Sequence, residues 1–84
     1  MRLEQLQYFV QVVESHSFNR AAQQLNITQP ALTNAIRALE EELGVQLLVR
    51  SRKGCVPTAW GGRIYDDCKS LLDSLVEESG GGDP

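Results

Sequence analysis

Two short amphipathic patterns, separated by a four-residue joint, constrain this chain more than any other stretch. From Ser17 to Gly44 it reads SFNRAAQQLNITQPALTNAIRALEEELG. The first pattern, Phe18 to Leu25, puts Phe18, Ala21, Ala22 and Leu25 on one side. Its two central alanines let a second helix approach closely. Ser17 is placed to cap it, because a serine hydroxyl accepts an otherwise orphaned backbone N–H. Thr28 caps the next helix, Pro30 lies in its first turn, and Gly44 ends it as a left-handed cap. Leu25-Asn26-Ile27-Thr28 is the joint. The pattern is a helix-turn-helix.

The flanks complete a small domain. Leu3, Leu6, Phe9, Val10 and Val13 recur at spacings of three and four, which predicts a first helix over about Leu3–Glu14. Apolar Val45–Val49 and Cys55-Val56 enclose a basic turn, Arg50-Ser51-Arg52-Lys53-Gly54, and read as a β-hairpin. Pro57 ends its second strand and Thr58 caps a last helix from Ala59 to about Glu78. On that helix Gly61, Ile64, Cys68, Leu71 and Leu75 form a coiled-coil seam, widened by Tyr65, Leu72 and Val76. So wide a stripe exceeds what a small domain easily covers, and marks an interface, with the first helix, a second copy or both. The expected fold is mainly α: a winged helix-turn-helix over 1–58, with a three-helix core and a hairpin wing. A linker or dimerisation helix follows over 59–79, then a flexible tail over 80–84.

Length and charge set the boundaries. Eighty-four residues make one domain, short enough that its core is often completed by oligomerisation. The net charge of -3 opposes nucleic acid, but its placement does not. From Ser17 to Thr58 five basic residues face three acidic ones; from Ala59 onward two face six. The basic middle is the part fitted to meet phosphate. Cys55 and Cys68 lack C-x-x-C spacing and have only His16 for company, so they read as reduced structural thiols, with no disulfide framework and no zinc. His16 reads as a solvated loop residue. With no signal peptide and no membrane-length apolar run, a soluble, cytoplasmic protein is expected. No nucleophile–base pair, metal constellation or nucleotide loop is present. The chain is therefore expected to be no enzyme, to have no catalytic or metal-binding residue, and to need no cofactor.

The third helix carries the functional signal. At about 100° per residue, Leu32, Ala35, Ile36, Leu39 and Leu43 fall on one side. Pro30, Thr33, Asn34, Arg37 and Glu41 fall on the other, with Gln29 at the exposed N-terminal end. Asn and Gln pair with adenine, Arg with guanine, and a Thr methyl meets the thymine methyl, all in the major groove. The N-terminal end of such a helix is the part that enters the groove. Wing arginines supply phosphate contact and sense groove width. The acidic run Glu40-Glu41-Glu42 reads as a solvated end held away from phosphate, with Glu41 free to pair with Arg37. A second reading, a protein-interaction module that only dimerises or docks a partner, draws on the acidic total and the seam.

The pattern LEQLQYFVQVVESHSFNRAAQQLNITQPALTNAIRALEEELGVQLLVR, followed by PTAWG, resembles the N-terminal domain of LysR-type transcriptional regulators over about Met1 to Leu75. The resemblance implies binding to double-stranded promoter DNA at interrupted inverted repeats, as a homodimer through the last helix. It also implies tetramers in the full-length protein through a C-terminal effector-binding domain, which this chain lacks. By position it places DNA contacts on Thr28, Gln29, Pro30, Thr33, Asn34 and Arg37 of the helix and on Arg50, Arg52 and Lys53 of the wing. The dimer interface falls on Ile64, Cys68, Leu71, Leu72 and Leu75. Thr33-Asn34 stands where the family commonly has Ser-Arg, and Leu48 where it has a wing phenylalanine. The first departure bears on base preference.

Overall fold

The computed structural model describes the backbone of residues 1–80 and the side chains of residues 1–74. Its elements are α1 (Leu3–Ser15), α2 (Phe18–Leu25), α3 (Gln29–Leu43), β1 (Leu48–Ser51), β2 (Gly54–Pro57) and α4 (Ala59–Gly80). α1 is the hub, packing against α2, α3, α4 and β2. Phe9, Val12, Ala21, Leu32, Leu39 and Leu47 are fully buried among these elements. Val12 lies outside the stripe read from the sequence; a helix with neighbours on several sides buries a wider arc than a single stripe. Leu3, which the spacing assigned to that stripe, stays exposed at the first turn of α1.

The caps form as the sequence indicates. Ser17 Oγ accepts from the Arg20 N–H at 3.1 Å, and Thr28 Oγ1 from the Ala31 N–H at 3.2 Å. Between these helices Asn26 adopts the left-handed conformation at φ 62°, and the Ile27 N–H closes back on the Ala22 carbonyl at 3.0 Å. This double-back ending fixes the turn angle and returns Ile27 to the core.

The wing is tighter than the predicted turn over 50–54. Leu48 pairs with Pro57, Val49 with Val56, Arg50 with Cys55 and Ser51 with Gly54, leaving only Arg52-Lys53 at the tip. Arg50 therefore belongs to a strand. Gly54 permits the base of the wing to dock on the end of α1. At φ 111°, a Cβ there would lie 2.4 Å from the His16 carbonyl oxygen, which accepts the Cys55 N–H at 2.9 Å.

α4 is anchored at its start and along its first half. Thr58 Oγ1 accepts from the Gly61 N–H at 3.0 Å and donates to the Gln46 carbonyl at 2.6 Å. A Cβ on Gly61 would lie 2.0 Å from the Leu47 oxygen, so Gly61 faces its own domain, contrary to its place in the predicted seam. Cys68 is buried and Ile64 is packed against the core. Tyr65 donates to Glu14 at 2.8 Å and Lys69 pairs with the same carboxylate at 3.3 Å, tying α4 to α1. Further along, Leu72 is half-buried and Leu71 is 49% exposed. The seam divides: its first part closes the domain and its later part points outward. The Leu75 side chain and the tail beyond Gly80 lie outside the described residues.

Candidate nucleic-acid interface

α3 presents two faces of opposite character. Leu32, Ile36 and Leu39 are locked into the core, which sets the rotation of the helix and sends Gln29, Pro30, Asn34 and Arg37 outward. Gln29, Asn34 and Arg37 lie within the first three turns of α3. Thr28 is exposed; its oxygen is engaged as the cap, while its hydroxyl proton remains available for donation. Thr33 departs from the sequence reading. It is half-buried and lines a cleft of about 230 Å³ between α3 and the wing, with Arg37, Glu40 and Arg50 also in its walls.

Arg50 projects from β1 over the Phe18 ring, 5.9 Å from its centroid. Such stacking orients a guanidinium while leaving its edge for other partners. A second cleft, about 260 Å³, brings Asn19 and Ser17 at the start of α2 beside Gln29 of α3 and Arg50. Sequence reasoning passed over Asn19, since nothing local to α2 says that its N-terminus will adjoin the wing. Arg52 and Lys53 stand exposed at the wing tip. Thr28, Gln29, Pro30, Asn34, Arg37, Arg50, Arg52 and Lys53 are thus all exposed, and Thr33 and Arg50 are brought together at one cleft.

Two expectations about the acidic run require correction. Glu40 is no solvated end. It is half-buried, and its Oε2 accepts the N–H groups of Leu47 at 2.8 Å and Leu48 at 3.3 Å. A carboxylate can satisfy two backbone donors that enter a strand without a partner strand on that side. Nor does Arg37 pair with Glu41: the ion pairs among the described residues are Met1–Glu42, Lys69–Glu14 and Lys69–Asp73. An exposed i,i+4 pair is worth only about 0.3–0.5 kcal/mol, too little to hold Arg37 back from another partner.

The remaining chemistry is structural. Cys55 and Cys68 are free and buried, and burial pushes both thiols above their ordinary pKa, although Arg50 pulls Cys55 the other way. Both are protonated at neutral pH and weak nucleophiles. His16 is exposed, as expected for a loop, while its carbonyl anchors the wing. Among the described residues no helix is long and apolar enough to cross a membrane.

Two helices set by a tight turn, a third bracing them and a two-stranded wing beside the second define a winged helix-turn-helix domain. Residues 3–62 match the family model described as "Bacterial regulatory helix-turn-helix protein, lysR family". The chain is 44% identical to the HTH-type transcriptional regulator TfdT of Cupriavidus pinatubonensis, over 94% of this chain and 34% of that protein. It is 45% identical to the HTH-type transcriptional regulator BenM of Acinetobacter baylyi, over 89% of this chain and 25% of that one. Among solved structures, the BenM DNA-binding domain complexed with catB site 1 DNA superposes with a TM-score of 0.89 at 43% identity, covering 94% of this chain and 88% of that one. The complex of the CbnR DNA-binding domain with DNA gives 0.85 at 37% identity, covering 94% and 91%. The chain belongs to the lysR family of bacterial regulatory helix-turn-helix proteins, a family of regulators and not of enzymes. It spans about a quarter to a third of the length of the curated relatives it matches.

Proposed function

We propose that this chain binds double-stranded promoter DNA in a sequence-specific manner, as the DNA-binding domain of a cytoplasmic lysR-type transcriptional regulator. Residues 1–58 are the winged domain. α3 enters the major groove, where Gln29, Asn34 and Arg37 read base edges and Thr28, Pro30 and Thr33 fit the groove wall and backbone. Arg50, Arg52 and Lys53 lie along the flanking backbone or minor groove. The observation that carries this reading is the outward polar face of α3, continuous with the basic wing across one cleft. The DNA-bound BenM and CbnR domains, alike in fold and above one-third identical in sequence, support it.

A second copy joins through α4, with Leu71 and Leu72 at the contact and Ile64 and Cys68 forming its inner wall. The exposed Leu71 supports this, and two copies then meet the two halves of an interrupted inverted repeat. Tetramers through an effector-binding domain belong to the full-length regulator. The test is selection of bound sites from a random duplex pool. An inverted repeat with half-sites spaced by whole helical turns is expected. A pool without enrichment would leave only the interaction-module reading, which nothing in the family match favours.

A further inference from the structure

We infer that Glu40 is a positioning residue that holds the wing at a set angle to the recognition helix. The inference rests on the DNA-binding reading above and adds a residue to it. Glu40 belongs to the last turn of α3, and its carboxylate reaches beyond the helix to take the Leu47 and Leu48 N–H groups. Leu48 is the first residue of β1, so one side chain of the reading helix grips the root of the wing. Both polar groups of Leu48 are thus met by side chains: Pro57 opposite has no N–H to donate, Gln46 Nε2 serves the Leu48 carbonyl at 3.1 Å, and Glu40 takes its N–H. The other wing anchors reach different helices: Arg50 stacks on Phe18 of α2, and the Cys55 N–H bonds His16 at the end of α1. Glu40 alone among these ties the wing to α3 itself. It also lines the cleft that separates Thr33 and Arg37 from Arg50. Its place is where base-reading and backbone-gripping groups must keep a common register on the duplex.

What the grip requires is an acceptor of the right reach, not a charge. Glu40→Gln keeps an oxygen at the same distance; Glu40→Asp keeps the charge one methylene short; Glu40→Ala removes both. Binding of the 84-residue chain to a selected duplex and to a scrambled one, titrated with salt, reads the outcome. Each phosphate contact contributes about 0.9 to the slope of log K against log salt. Glu40→Ala and Glu40→Asp are expected to lower that slope by roughly two, the share of Arg52 and Lys53, while Glu40→Gln keeps it. In the Glu40→Ala background, Arg52→Ala should lower the slope no further, because the wing has already left the backbone. A merely structural loss would leave the wing contribution intact and additive. If Glu40→Ala does not fold at assay temperature, the Asp and Gln variants carry the test. Unchanged slopes in the Ala and Asp variants, additive loss with Arg52→Ala, or a Gln variant behaving as Ala would each overturn the role. Failure of the DNA reading is distinguishable, since the unaltered chain would then show no salt-dependent binding.

Discussion

α3 and α4 are both amphipathic, and the domain treats them in opposite ways. The large apolar side chains of α3 are mostly covered: Leu32 and Leu39 have no exposed surface, Ile36 almost none, and Leu43 is half-buried. What remains outside is Gln29, Asn34, Arg37, Glu41 and Glu42, with Pro30 and two alanines, Ala31 and Ala38, between them. On α4 the apolar side is covered as far as Cys68; beyond it Leu72 is half-buried and Leu71 remains outside. One helix thus offers hydrogen-bond donors and acceptors at fixed positions, which suits base edges, while the other offers hydrophobic surface, which suits a second protein chain. A helix's function is read from the part its own fold does not consume.

Changes that attack the covered side of α3 should act through stability. Leu39→Ala leaves a cavity at a fully buried site and should cost about 2–5 kcal/mol in urea unfolding, dissolving the interface along with the fold. At the start of α4, Gly61→Ala sets a methyl against the Leu47 carbonyl and should cost about 1–3 kcal/mol by the same measurement. Changes on the outward sides should spare stability and remove one function each. Leu71→Asp should shift the monomer's unfolding by no more than about 0.5 kcal/mol, yet abolish self-association in sedimentation. If Leu71→Asp sediments as the unaltered chain does, the exposed part of α4 is no dimer surface. Arg52→Ala should be the mildest, weakening binding to every duplex alike and reducing the salt slope by about 0.9.

Much of this was legible in the sequence, for local reasons. Ser17, Thr28 and Gly44 mark helix ends through their own hydroxyls and backbone freedom, and Ala21-Ala22 announces a close helix contact. The faces of α3 follow from spacing alone. What escaped depends on tertiary neighbours. Val12 is buried because α1 has partners on several sides. Thr33 faces the wing rather than open solvent because the hairpin folds back beside α3. Glu40 looked like one of three solvated acids, and only the path of residues 45–48 around the end of α3 brings two backbone donors to it. The division of the α4 seam at Cys68 likewise depends on how far the rest of the domain reaches along that helix.

The claim that α3 reads bases while the wing grips the backbone separates two kinds of loss. Asn34→Ala, Gln29→Ala and Arg52→Ala can be compared on a selected duplex and its scrambled counterpart at several salt concentrations. The two helix variants should lose about 1–3 kcal/mol on the selected duplex alone, and the wing variant should lose equally on both. Equal loss on both duplexes for Asn34→Ala and Gln29→Ala would contradict base reading by α3.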